Sequence, residues 1–139
     1  LLRTSRQVKK KKTKYRGFYV KKLDSIFSKY IRRRYAEDDI ATCYTCGKKD
    51  HWKNLQCGHF MSRRFFSTRW DDKNCQVQCK ACNIFRYGEQ YLFGANLDNE
   101  FGDGTAEMLE FDSKQLLKIS MPQLKILILK YEELVKEMD

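Results

Sequence analysis

The chain has 139 residues, 42% of them hydrophobic and 33% charged, with a formal net charge of +10 at pH 7. That length suits one domain with a modest core, small enough for a metal staple to add appreciably to stability. No apolar run is long enough to span a bilayer and no signal-type apolar stretch opens the chain, so the expectation is a soluble intracellular protein with no membrane partner.

The charge is concentrated at one end. Residues 1–34 hold 14 Lys and Arg against one acid, Asp24, giving +13 there and −3 over the remainder. From Leu1 to about Tyr15 the composition is basic and aperiodic, which predicts a flexible arm over residues 1–15 that orders on a partner, ahead of a single domain over 16–139. Lys9, Lys10, Lys11 and Lys12 read as contacts to a polyanion such as DNA, with strongly salt-dependent binding. Charge alone would equally suit a solvated tail. Leu23, Ile26, Phe27, Tyr30 and Ile31 then fall on one helical stripe, predicting an amphipathic helix to about Ala36. Its polar side carries Arg32, Arg33 and Arg34, read either as DNA contacts or as a solvated face.

Residues 40–83 lack helical periodicity and are punctuated by cysteine. Cys43-Tyr-Thr-Cys46 and Cys79-Lys-Ala-Cys82 both have the spacing that lets paired thiolates reach one tetrahedral zinc, so these four are assigned to a structural Zn²⁺. Two knuckles flanking a β-hairpin are expected, with strands near 55–60 and 76–78. Between the strands, Arg63, Arg64 and Arg69 are interleaved with Phe65, Phe66 and Trp70, a mixture suited to phosphates and exposed bases or to covering a small core. Cys57 and Cys75 lie outside the paired motifs and read by default as buried apolar fillers, with a disulfide or second metal site as the lesser alternative. His51 reads as structural or exposed.

After Cys82 a helix is predicted through Phe85, Tyr91 and Leu92 to about Leu97, followed by a break at Gly102-Asp103-Gly104 and a short turn over 105–109. Ser120-Met-Pro-Gln123 is a capping box with an early proline, predicting a helix over about 121–138. Leu124, Leu127, Ile128, Tyr131, Val135 and Met138 form its core stripe. Ile126 and Leu129 widen that stripe, which suggests either a homodimer contact or packing on the N-terminal helix.

Gln56-Cys57-Gly58-His59 and the run from Asp72 through Asn74 and Cys79-Lys-Ala-Cys82 to Asn83 carry a resemblance. They resemble the HNH pattern, with His59 ending one strand, Asn74 preceding the next and Asn83 following the second cysteine pair. Cys-Tyr-Thr-Cys-Gly, Cys-Gly-His-Phe-Met-Ser-Arg-Arg, Thr-Arg-Trp-Asp and Cys-Asn-Ile-Phe-Arg-Tyr-Gly together look like the lambda NinG/Rap family of phage recombination nucleases, over roughly residues 20–110. The resemblance implies an α+β fold with a small ββα-metal (HNH) core at about 40–98, a four-cysteine zinc site, and flanking N- and C-terminal helices. It implies a metal-dependent DNA endonuclease acting on branched intermediates such as Holliday junctions or D-loops in the bacterial host cytoplasm.

Phosphodiester hydrolysis needs a base for water and a cation for the developing phosphate charge. On the implied pattern His59 is the general base, Asn83 offers its amide oxygen to a catalytic Mg²⁺ or Mn²⁺, and Asn74 braces the loop that orients His59. Gly58 is a departure, since many HNH proteins place a metal-binding Asp or His there. Asp71 and Asp72 are the substitute ligands expected, with Gln56 a weaker candidate. A zinc-dependent DNA-binding module without catalysis, and an HNH nuclease cutting ordinary duplex, are the alternatives.

Overall fold

A computed structural model describes the backbone from Ser5 to Asp139, and side chains from Tyr15 onward. The flexible arm expected over residues 1–15 is instead helical from Ser5, its backbone continuous with the amphipathic helix that follows, while the side chains of Lys9, Lys10, Lys11 and Lys12 lie outside the described residues. The elements run α1 (Ser5–Arg33), β1 (Ile40–Thr42), β2 (Lys49–His51), β3 (Gln56–His59), α2 (Phe66–Arg69), β4 (Cys75–Gln78), α3 (Gln90–Phe101), α4 (Thr105–Ser113) and α5 (Met121–Lys136). This is an α+β arrangement of helices around two antiparallel two-stranded sheets, β1 with β2 and β3 with β4.

The stripe on α1 does what its spacing predicts. Leu23, Phe27 and Ile31 are buried and face Leu124, Ile128 and Tyr131 of α5, with Trp70 and Cys75 closing the same cluster. Phe27 meets Tyr131 edge to face at 4.9 Å between ring centroids, the arrangement favoured by aromatic quadrupoles. The helix stops at Arg33 rather than Ala36, because the chain turns through Asp38 and Asp39 at positive φ (50° and 65°) to enter β1.

At the other end, α5 starts as its sequence demands. The Ser120 side chain accepts from the Gln123 backbone N–H at 3.3 Å, and the Gln123 side chain accepts from the Ser120 N–H at 2.8 Å. Both bonds of the capping box satisfy donors that the helix start leaves unpaired. Packing on α1 accounts for the core side of α5, while Ile126 and Leu129 stay exposed. Among the described residues no helix is long and apolar enough to cross a membrane.

Two smaller clusters complete the interior. One lies beneath the cysteines and joins Ala41, Trp52, Leu55 and Val77. The other joins Phe93 and Leu97 of α3 to Leu109 of α4, with Tyr44 and Phe60 against them. The β1–β2 hairpin that carries the first knuckle on its turn leaves no signal in the sequence, since three-residue strands are too short to show a period-2 pattern.

The helix expected from Cys82 to Leu97 is instead broken. A π-helical turn over Ala81–Phe85 is followed by positive φ at Tyr87, Gly88 and Glu89, and only then by α3. The kink presents the Gly88 carbonyl to the buried Gln78 amide, which donates to it at 2.9 Å. A longer-range hydrogen bond, invisible to local periodicity, decides the break. In contrast, α4 runs to Ser113, longer than the turn predicted.

Truncating Phe27, which is 1% exposed, should cost about 3–5 kcal/mol, the range for a phenylalanine removed from a packed core. Urea unfolding of the zinc-loaded protein checks this, with Ile126→Ala on the exposed side of α5 expected within about 0.5 kcal/mol of wild type.

Candidate metal centre and histidine cleft

The two cysteine pairs come together from opposite ends of the sheet region. Cys43 and Cys46 sit on the turn between β1 and β2, where the Cys43 N–H donates to the Lys48 carbonyl at 2.8 Å and the Gly47 N–H returns to the Cys43 carbonyl at 3.0 Å. Cys79 and Cys82 follow β4, with the Cys82 N–H donating to the Cys79 sulfur at 3.5 Å. The Tyr44 N–H donates to the Val77 carbonyl at 2.8 Å and so pins one knuckle to the other strand.

The four sulfurs lie within 4.8 Å of one another, Cys46 Sγ being 3.6 Å from Cys79 Sγ, and no disulfide is present among the six cysteines. Burial pushes the Cys43 thiol up, but backbone donors at Cys46 and Cys79, aided by the Thr45 hydroxyl, outweigh it and bring the group down to about 6. A donor set of four converging sulfurs fits a closed tetrahedral Zn²⁺ site. Cys43, Cys46, Cys79 and Cys82 would hold the ion.

Asn83 directly follows the last of these cysteines and faces a second feature, a cavity of about 470 Å³ lined by Asp24, Ser28, Arg32, Gln56, Cys57, His59, Arg63 and Asn83. His59 reaches it from the end of β3. Its Nε2 lies 3.0 Å from the Arg69 carbonyl oxygen. A carbonyl only accepts, so Nε2 carries the proton and Nδ1 the lone pair in the neutral ring. Burial lowers the His59 pKa from its ordinary 6.5, reinforced by Arg63 and Arg69, while the Arg69 carbonyl and the Asp24 carboxylate act in the opposite direction. The ring is therefore neutral at physiological pH.

Asn74 is fully buried and spends its whole amide on the loop between the strands. Its Oδ1 accepts from the Met61 N–H at 2.8 Å, and its Nδ2 donates to the Met61 and Thr68 carbonyls, each at 3.0 Å. These bonds fix the loop whose Arg69 carbonyl orients His59. Asn83 Nδ2 donates to Gln56 Oε1 at 2.8 Å, and Asn83 Oδ1 has no protein donor among the described residues. The three motif residues thus fall into different places: His59 and Asn83 line one cleft, and Asn74 supports it from behind.

The structure separates other predicted residues from this cleft. Asp71 Oδ1 accepts from the backbone N–H groups of Lys73 at 2.8 Å and Asn74 at 3.2 Å, capping the turn before β4, and lines a different depression with Asp103 and Asp112. Asp72 is exposed and offers its backbone carbonyl to Arg34 at 2.9 Å. Neither lines the His59 cavity. Gln56, the weaker candidate, does.

Gly58 has a physical cause. It is buried against Gln78, and a Cβ built on it would overlap the Gln78 amide. Gln78 is itself held by bonds to Thr45 Oγ1 at 3.1 Å and the Gly88 carbonyl, so no acidic side chain fits at position 58.

The carboxylate that does reach the cleft is Asp24, whose only mark in the sequence is that it is the single acid of a basic segment. Asp24 Oδ1 accepts from Arg69 Nε at 3.0 Å and Trp70 Nε1 at 2.9 Å, and Oδ2 accepts from Arg69 Nη2. Its isolation among 14 basic residues was the available signal.

The arginines divide likewise. Arg32 lines the cleft and stacks its guanidinium over Trp52 at 5.1 Å. Arg33 pairs with Asp139 at 2.9 Å, and Arg34 donates to the Cys75 carbonyl and Gln76 Oε1, each at 2.9 Å. Arg63 is exposed at the cleft rim, Arg64 packs over Phe65, and Arg69 is engaged by Asp24.

Replacing Cys46 by serine should remove the zinc of the four-cysteine site and with it the cooperative melting of the sheet region. Metal analysis and circular dichroism check this, and a variant with wild-type zinc content and melting temperature would overturn the assignment.

A family model described as the bacteriophage lambda NinG protein matches residues 2–139. No curated protein and no solved structure matches the chain. With the match spanning the helices, the cysteine cluster and the histidine cleft together, the chain belongs to the lambda NinG family of phage recombination-related proteins.

Proposed function

We propose that this chain is a divalent-metal-dependent endonuclease of the HNH type, cutting DNA in branched recombination intermediates. The observation that carries the reading is the anchoring of His59 Nε2 on the Arg69 carbonyl, which leaves the lone pair of the neutral ring on Nδ1, in a cleft shared with Asn83 and Asp24. That is the state a general base needs, because a lone pair free at neutral pH takes a proton from attacking water as the O–P bond forms.

Phosphate is bound by charge. Arg63 at the rim and Arg32 inside supply cations to the scissile group, and the basic N-terminal segment adds sequence-independent attraction to the backbone. Asn83 Oδ1 and the remaining acceptor capacity of the Asp24 carboxylate form the hard-oxygen donor set that would hold Mg²⁺ or Mn²⁺ in place of the acid excluded at position 58. When bound, such an ion supplies Lewis-acid stabilisation of the pentacovalent phosphate and leaving oxygen. Asn74 is a positioning residue: it acts on the reaction only through the loop carbonyl that orients His59. The preference for branched DNA rests on membership of a recombination-related family, and duplex cleavage is its direct competitor.

Cleavage of a labelled four-way junction and a matched linear duplex, in Mg²⁺ or Mn²⁺, tests this. His59→Ala should lose about 10²–10⁴-fold in rate while retaining its melting transition, as expected for removal of a general base. Junction-selective cutting supports the full reading, and equal cutting of the duplex removes the branch preference. Tight binding without metal-dependent cleavage would leave a zinc-dependent DNA-binding module.

The pH profile has a defined sign. His59 is facing Asp24 from α1, Arg63 from the loop and Arg69 from α2, and its pKa is lowered on balance, mainly by burial. The base is active unprotonated, so kcat/KM should fall toward low pH with its midpoint below 6.5. A protonation-limited decline centred at or above 6.5 would remove His59 as the base.

A further inference from the structure

Cys57 and Cys75 remain outside both the zinc cluster and the proposed hydrolysis, yet they are not scattered fillers. On β3, Cys57 and His59 are two residues apart and project from the same face of the strand. In the antiparallel register His59 stands opposite Cys75 of β4. The ribbon therefore gathers two sulfurs and an imidazole, and their ligand atoms lie within 4.8 Å of one another.

The trio is closed on one side and open on the other. Cys75 is fully buried, with its sulfur 3.5 Å from the same Arg69 carbonyl that holds His59, and the Asn74 amide is 3.9 Å from it. Cys57 and His59 are half-buried and line the cleft. Three ligands on one side and a free approach on the other is the arrangement of an open zinc site.

We propose that Cys57, His59 and Cys75 form a second metal site of the zinc class, distinct from the four-cysteine cluster, whose fourth position opens into the cleft. Donor chemistry selects the ion: two thiolates and an imidazole favour Zn²⁺ and disfavour Mg²⁺ and Mn²⁺, which require oxygen ligands. Binding releases the thiol protons of Cys57 and Cys75 to solvent as the two metal–sulfur bonds form.

Occupation also decides what His59 can do, a consequence that rests on His59 being the base. If the ion takes Nδ1, the lone pair is consumed. If it takes Nε2, the ring proton moves to Nδ1 and the lone pair is again lost. Either way zinc at this site withdraws the base, so the same cleft that uses a hard cation for turnover is switched off by a soft one.

The experiment is a metal count on the full chain, reconstituted with Zn²⁺ and dialysed, for wild type, Cys57→Ser and His59→Gln, with melting curves to confirm folding. The expected result is about two zinc ions per wild-type chain and about one in each variant, the four-cysteine site being retained. In wild type, zinc should also protect Cys57 from alkylation. One zinc in wild type overturns the site, as does an unchanged count of two in both variants. The nuclease assay is read separately: a second equivalent of zinc should inhibit wild type about 10²-fold or more, the least contribution expected of a general base, and inhibit Cys57→Ser much less. A chain that holds two zinc ions and still cuts would leave the metal site standing and remove His59 as the base.

Discussion

The convergence of four cysteines is the constraint on which the rest depends. Two-stranded sheets of three or four residues are not stable alone, and the described residues form two of them. The sulfur cluster joins the β1–β2 turn to the end of β4, and the small apolar cluster of Ala41, Trp52, Leu55 and Val77 forms beneath that junction. Because Asn83 follows Cys82 without an intervening residue, the position of the cluster also fixes where Asn83 enters the cleft. An ion held by the four sulfurs would thus adjoin, through the Cys82–Asn83 peptide bond, a group proposed to act on phosphate, while sharing no ligand with it.

On the other side of the cleft the same work is done by polar bonds. Asp24 clamps Arg69 and Trp70, and Asn74 clamps the loop that leads to them. Both are ion-pair or amide networks largely shielded from water, where satisfied partners rigidify and unsatisfied ones are costly. Their joint product is a single fixed carbonyl, that of Arg69, which sets the tautomer of His59 and touches Cys75. The packing of α1 on α5 matters to the cleft through this network, since Asp24 sits one residue beyond Leu23, whose side chain is buried in that cluster.

Gly58 shows how one packing choice moves a function elsewhere. The Gln78 amide fills the space in which a side chain at position 58 would lie, and Gln78 is needed there to receive the kink at Gly88 and the knuckle at Thr45. An acid at position 58 is therefore sterically excluded, and Asp24, carried on a different element, is the carboxylate that borders the cleft. The cost is that Asp24 must serve Arg69 and Trp70 as well.

Much of this was legible in the chain itself. Fixed short spacings determined the cysteine pairs, the α1 stripe, the β3 and β4 strands and the capping box of α5, because each depends on residues within one turn or one strand of each other. What the tertiary structure decided were the relations across long separations. Asp71 and Asp72 looked like metal ligands, but capping and exposure occupy them, whereas Asp24 is brought in from 45 residues before Arg69. The break after Phe85 depended on a bond from Gln78, and the fates of Arg33 and Arg34 depended on partners at Asp139 and Cys75. Cys57, His59 and Cys75 become neighbours only through the register of β3 on β4. Local periodicity records which face a residue takes; which distant group waits on that face is set by packing, and one sequence read alone does not contain it.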